Sequence, residues 1–415
     1  MSALTAERVD GADPSLSLFR LLDPQVLANP YPLYHRLRAE DPVHWDPFLH
    51  EWVVTRYTDV IRVLHEFSAT CTPTPEQLNA MGLSALNPIG QVMIKQMLFM
   101  DAPAHTRLRG LASQAFAPHR VELLRAHIQE ITDDLLEAVL PGGSMDVIAA
   151  LAEPLPCIVM AEMLGVPVED HERFKGWSLD IARGLDLIWL GPDSEVGRRS
   201  VAARHSLAEY FRGLIAQRRA APRADMLSGL IAAEEAGDKL NEIELLATCI
   251  LLLIAGHETT VNLIGNGMLA LLRHRDQLRR LQQDPTLIGG AIEELLRYDG
   301  PVQRTARIPS EDVTIGGRTI ARGEMVMPFI GAADRDPVQF PEPDRLDIGR
   351  ADNRHIAFGW GIHFCLGAPL ARIEGQIAIN TLIKKWPKLA LATDRPEYRQ
   401  SLTLRGLKAL PVSFA

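Results

Sequence analysis

The sequence predicts a mainly α fold with a small β region. Apolar residues recur at helical spacing through most of the chain. Alternating β-type runs are few and short, and one long apolar segment, 245–254, reads as the core of a buried helix. In chain order, the first strand candidate is Trp52–Thr55. Residues 68–90 are rich in Thr, Pro, Asn and Gly, with Met81, Leu83, Leu86 and Ile89 interspersed. A loop of that length reads as either a lid or pocket wall, or a flexible surface loop. Helical patterns follow over 121–140 and 170–185. Leu207, Tyr210, Phe211 and Leu214 then mark an amphipathic helix at i, i+3, i+4 and i+7. After the 245–254 run comes a helix around 276–281, then short strands over 313–318 and 319–327 flanking the Gly316-Gly317 turn.

The 415 residues are 47% hydrophobic and 23% charged, enough for a large core. No composition shift marks a boundary, so residues 1–18 are expected to form a flexible tail and 19–415 one domain. The net charge of −9, with basic residues dispersed, argues against nucleic acid or an anionic membrane as partner. Cys71, Cys157, Cys249 and Cys365 are far apart and form no CxxC pair, which fits a reducing compartment. The first residues lack a signal pattern, and the apolar run is short for a bilayer. A cytoplasmic, monomeric protein is expected.

Phe358 to Gly367 reads Phe-Gly-Trp-Gly-Ile-His-Phe-Cys-Leu-Gly. Glycines 359, 361 and 367 permit a tight turn and close approach of a flat ligand. The following Ala368-Pro369-Leu370 starts a helix, whose positive end favours a thiolate at Cys365. Such a sulfur suits an iron ligand. Taken alone, a cysteine beside a glycine turn reads first as a buried structural cysteine. His363 and Cys365 lack a second pair for a zinc site.

Leu251 to Val261 reads Leu-Leu-Leu-Ile-Ala-Gly-His-Glu-Thr-Thr-Val. Acid and alcohol side chains inside a core helix cost free energy unless they are used. Ala255 and Gly256 leave room for a diatomic ligand, and a kink is expected at the glycine. Thr259, one turn after Ala255, is placed to bond that ligand or a water, with Glu258 supplying protons. Alternatively Thr259 bonds back to the preceding turn. His257-Glu258 resembles half a zinc-protease motif, but Val261 stands where the second histidine belongs.

Both segments resemble the cytochrome P-450 family. Every fixed position of its cysteine-loop signature, Phe-Gly-x-Gly-x-His-x-Cys-x-Gly, is present, and 255–260 is similar to its oxygen-activation motif. The resemblance covers nearly the whole chain and implies a triangular, helix-rich domain. Haem b (iron protoporphyrin IX) would lie between the long central helix and the cysteine loop. It implies Cys365 as metal ligand, Glu258 and Thr259 as catalytic pair, and Ala255, Gly256, Phe358, Gly359 and Gly367 around the cofactor. His105, Arg109, Arg307 and His363 match its propionate partners. Glu294 and Arg297 resemble its Glu-x-x-Arg pair, with Arg345 as third member and Leu346 in place of the usual Phe.

The activity so implied is insertion of one oxygen atom of O2 into an organic substrate. With no flavin or iron–sulfur domain expected on this chain, electrons would come from a ferredoxin or flavodoxin and its NAD(P)H-dependent reductase. Arg107, Arg120 and Arg372 are candidates for the docking patch. The resemblance places Leu86, Ile89, Val92, Leu251, Ile254, Val302, Gln303 and Leu402 around the substrate. No charged residue in that set asks for a carboxylate or amine, so a medium-sized lipophilic molecule is expected. A peroxide-driven peroxygenase and a non-catalytic haem-binding protein are the alternatives.

Overall fold

The computed structural model describes residues 13–72, 74, 76, 79, 92, 94–139, 143–184, 194–233 and 241–414. The elements that frame the site run in this order. Strands β1 (Val43–Asp46) and β2 (Glu51–Val54) pair antiparallel, with Val43 opposite Val54. Helix α1 (Tyr57–Glu66) buries Tyr57, Val60, Val63 and Leu64 along one stripe. Helix α2 spans Ala104–Ser113, strand β3 Ser144–Asp146, and helices α3 and α4 Pro154–Met163 and His171–Arg183. Helix α5 (Glu195–Ala220) starts at Ser194, whose Oγ accepts from the Gly197 N–H at 3.0 Å.

The long helix α6 (Glu242–Arg273) has a reciprocal cap: Asn241 Oδ1 accepts from the Glu244 N–H at 3.0 Å, and Glu244 Oε2 from the Asn241 N–H at 3.1 Å. Its helical hydrogen bonding continues through Gly256, where a kink was expected. Helix α7 (Ile288–Asp299) follows. Then comes the β4 (Val313–Ile315) and β5 (Arg318–Ile320) hairpin, strand β6 (Val326–Pro328), helix α8 (Ala368–Lys385) and strand β7 (Pro411–Ser413).

Gly316 and Gly317 take φ of +54° and +78°, as a two-residue hairpin turn with the twist of its strands requires. The strand expected over 319–327 is two strands. Gly323, at φ +81°, turns the chain between them, so β5 pairs with β4 while β6 pairs parallel with β2. Pro328 ends the β6 ladder on the sheet edge, where its missing N–H costs nothing. The helix expected over 121–140 is broken at Leu124 into Pro118–Leu123 and Arg125–Glu137.

The chain forms two compact units. One holds residues up to Cys71, Gly265–Cys365 and Leu391–Leu410; the other holds Thr72–Ile264, Leu366–Ala390 and Pro411–Ala415. The first has a core of Val43, Trp52, Val54, Tyr57, Val60, Ile315, Val326 and Ile356. The expected tail ends earlier than residue 18. Leu16 and Leu18 are buried, and the Leu18 N–H bonds Asp46 Oδ2 at 2.7 Å. In the second unit α4 and α5 are joined by an edge-on Phe174–Phe211 contact at 5.7 Å, and β7 pairs with β3.

Candidate functional site

In the first unit, Cys365 sits in a loop shaped by its glycines. Gly359 and Gly361 have φ of +75° and +67°, conformations that a residue with a Cβ adopts only under strain. The Cys365 N–H donates to the Phe358 carbonyl at 2.8 Å and closes the loop. A three-residue turn, Gly361–His363, precedes the cysteine. Cys365 is only half-buried, whereas Cys157 and Cys249 are buried and their thiols pushed up to about 12. Trp360, large for a variable position, is 40% exposed. Gly367 differs from the other two glycines. Its φ is an ordinary −84°, and a Cβ there would meet no protein atom within 4 Å. Neither backbone nor packing calls for glycine at that position, whereas a flat ligand lying close would.

In the second unit, α6 changes character in its middle. Leu251, Leu252 and Leu253 are buried, but Ala255 is exposed and Ile254 and Thr259 are half-buried. This stripe leaves one side of an otherwise buried helix accessible. The Thr259 hydroxyl donates to the Ala255 carbonyl at 2.7 Å, so the backbone bond that was one alternative is present. Glu258 is 4% exposed and turned inward. Gly256 makes room for protein: a Cβ there would fall 2.7 Å from Met160 Cγ and Sδ on α3. His257 is buried between Ser178 Oγ at 2.8 Å and the Glu153 carbonyl at 3.1 Å, a structural placement.

Sequence reasoning missed Glu374, on α8. It is 1% exposed, and neither carboxyl oxygen has hydrogen-bond geometry to a protein donor. Burial pushes its pKa up to about 8, against a smaller downward pull from the Thr260 hydroxyl. A carboxyl group that is neutral near pH 7 therefore stands beside the residue following Thr259.

Of the four expected propionate partners, two lie in each unit. His105 and Arg109 are one turn apart on α2. His105 is 2% exposed, and burial, then the Arg109 charge, lower its pKa. In the other unit Arg307 is buried at 4% exposure, with Nη1 donating to the Ala306 carbonyl at 2.7 Å, and His363 ends the turn before the cysteine.

Three expected assignments change. Arg345 is not the third member of the Glu294–Arg297 network. Its guanidinium lies at the surface on Glu342, and only its carbonyl accepts from Arg297. Arg350 takes that place, with Nε 3.1 Å from Glu294 Oε2, while Arg297 grips the same carboxylate at 2.8 and 2.9 Å. Gln303 is no pocket wall: its amide packs on Gly331 and donates to the Gly300 carbonyl at 2.8 Å. Arg107 is paired with Glu244 at 2.7 Å, which removes it from the docking patch. Arg120 is exposed and Arg372 half-buried. Val92, Val302 and Leu402 are half-buried and Leu251 is 9% exposed. Leu86 and Ile89 lie outside the described residues.

The residues fit a porphyrin. Among the described residues no three His, Cys, Asp or Glu side chains converge, so a metal at Cys365 must bring its other ligands with it. In the first unit the half-buried Cys365 supplies a sulfur donor; in the second, Gly367 has an open side and Ala255 is exposed.

Comparison with known proteins agrees. The family model for Cytochrome P-450 matches residues 45–404. The chain is 43% identical over 393 residues to the biotin biosynthesis cytochrome P-450 of Bacillus subtilis (strain 168), covering 94% of this chain and 97% of that protein. It is 44% identical over 398 residues to the vitamin D(3) 25-hydroxylase of Pseudonocardia autotrophica, covering 93% and 94%. Among solved structures, the myxobacterial cytochrome P-450 CYP267B1 in complex with myristic acid matches with a TM-score of 0.88 at 43% identity, covering 96% of this chain and 100% of that one.

Proposed function

The chain belongs to the cytochrome P-450 family of haem-dependent monooxygenases, and on that basis we propose that it hydroxylates or epoxidises a medium-sized lipophilic molecule in the cytoplasm. Its electrons come from a separate ferredoxin or flavodoxin and the NAD(P)H-dependent reductase. The chain from Pro14 onward, Leu16 and Leu18 included, acts as one catalytic domain. The observation that carries the reading is Cys365, half-buried in a loop held open by two left-handed glycines.

The haem, when bound, supplies activation of dioxygen. The chain's own residues do the rest. Cys365 gives an anionic sulfur, and its backbone N–H is already spent on Phe358. His105, Arg109, Arg307 and His363 hold the two propionates. Thr259 holds a proton at Oγ1 and passes it on, and Glu258 replenishes it through its carboxyl group. Leu251, Ile254, Val302 and Leu402 exclude water and orient the substrate. Relatives named for biotin biosynthesis and for vitamin D(3), and a neighbour holding myristic acid, support a lipophilic class. Retention of Glu258 and Thr259 favours dioxygen over the peroxide-driven alternative.

The first test is the Soret band of the reduced carbon monoxide complex. It is expected to be strongly red-shifted in the purified protein and lost in Cys365→Ser. A colourless protein, or nitrogen ligation, overturns the reading. Comparing product formed with NADH, ferredoxin and reductase against peroxide alone separates monooxygenase from peroxygenase.

A further inference from the structure

We propose that Arg204 and Ser200 form an anion-binding end to the substrate site, and that the substrate is a monocarboxylate with a long apolar body. The inference deepens the reading above and rests on it. Ser200, Arg204, Leu207 and Phe211 recur at i, i+4, i+7 and i+11, down the middle of the buried face of α5. Ser200 is 0% and Arg204 8% exposed. Among the described residues neither Arg204 Nε nor Ser200 Oγ has a hydrogen-bond partner. Burial alone pulls the guanidinium's pKa down to about 10, with no carboxylate acting on it.

Three other buried arginines are each compensated by a carboxylate. Arg218 on the same helix meets Asp225 at 2.6 Å, Arg297 meets Glu294 at 2.8 Å, and Arg405 meets Asp299 at 2.6 Å. An uncompensated buried charge is strongly unfavourable, so a bound anion is the missing partner. A single positive charge with an adjacent hydroxyl matches a single carboxylate: the planar fork takes both oxygens and the hydroxyl donates to one.

The position suits a long molecule. Helices α4 and α5 run antiparallel, with Phe174 on Phe211 and Asp180 on Arg199 at 3.1 Å. Within the span bounded by those contacts lie Arg204 on α5 and Ser178 on α4, and Ser178 holds His257, the neighbour of Glu258 and Thr259. An acid anchored there needs an extended apolar body to reach Thr259, and Leu207 and Phe211 continue the stripe below the charge.

The test compares tetradecanoic acid, its methyl ester and tetradecyl phosphate on the haem-loaded protein. Binding is measured by calorimetry and by the spin-state shift. The acid is expected to bind at least about tenfold more tightly than the ester, the scale of one hydrogen bond to a charged group. In Arg204→Gln the two should become equal, with the ester unchanged; Ser200→Ala should lose part of the preference. Ligand-free Arg204→Met should melt higher than wild type, because an unpaired buried charge is gone. Equal binding of acid and ester by wild type, preference for the phosphate, or a lower melting point of Arg204→Met overturns the proposal. A red-shifted Soret band without acid preference defeats this inference alone. Acid preference by calorimetry in a protein that takes up no haem defeats the monooxygenase reading alone.

Discussion

Thr259 at rest donates its hydroxyl hydrogen bond to the Ala255 carbonyl, so its oxygen lone pairs are what it presents to the accessible side of α6. To pass a proton onward the hydroxyl must rotate off that carbonyl. Thr259→Ala is therefore expected to lower product per NADH consumed by roughly 10²-fold, the low end of what a positioned proton donor contributes, with hydrogen peroxide accumulating instead. Thr259→Ser should recover most of the coupling, and unchanged coupling in Thr259→Ala would remove the residue from the reaction. Glu374 makes a prediction about pH. Its carboxyl titrates from an ordinary 4.5 when unfolded and about 8 when folded. Between those values the unfolded chain releases a proton that the folded one keeps, so this group's contribution to stability is greatest below pH 4.5 and declines as pH rises to 8. Glu374→Gln should remove that decline, melting above wild type at pH 9 and level with it near pH 4. The Cys365 loop and the Glu258–Thr259 pair were legible in the sequence because each is a contiguous run. Glu374 and Arg204 matter only through burial. For Arg204 the signal was present, since the Leu207–Leu214 periodicity extended backwards places it and Ser200 on the apolar face.

At the scale of the element, α7 is fastened to the irregular segment after β6 by one carboxylate. Glu294 takes two bonds from Arg297 and a third group from Arg350, while Arg297 Nη1 reaches the Asp334 and Pro343 carbonyls at 3.0 and 2.8 Å. Arg297→Ala would leave Glu294 charged and buried, at a cost of about 3–5 kcal/mol. Arg350→Ala should also destabilise clearly, and Arg345→Ala should stay within about 0.5 kcal/mol. Urea midpoints of the three variants check the order, and equal losses from Arg345 and Arg350 would contradict it. Choosing Arg345 from sequence failed because two arginines five positions apart in aperiodic chain offer no pattern to decide between them. Most helices were legible from their apolar stripes. The strands over 43–46, 144–146 and 411–413 were not, because each is three or four residues long; the last two are also stabilised by a distant partner, each other, whereas 43–46 pairs locally with 51–54. Gly256 was read for the wrong neighbour: Gly256→Ala drives a methyl into Met160 and is expected to cost about 1–3 kcal/mol. Met160→Ala in the same chain should return part of it, measured as melting temperature.

For the molecule as a whole, a net charge of −9 opposes an acidic electron donor at long range. Docking then depends on a local basic surface, and the Arg107–Glu244 pair takes one arginine out of it. Arg120→Glu is expected to raise KM for ferredoxin several-fold with kcat nearly unchanged, and added salt should do the same. A KM that ignores both would place the docking surface elsewhere. Helix α6 is long and apolar enough to cross a bilayer, yet 72% of its most apolar stretch is buried by the protein itself, so the fold already uses that hydrophobicity as core. The parallel pairing of β2 with β6 carries a consequence for biosynthesis. Trp52 and Val54 find Val326 and Pro328 only after roughly 270 further residues have left the ribosome, a wait of about a quarter of a minute to a minute at translation speeds. Through that interval an apolar edge near the start of the nascent polypeptide stays open, which makes it the stretch a chaperone has most reason to hold.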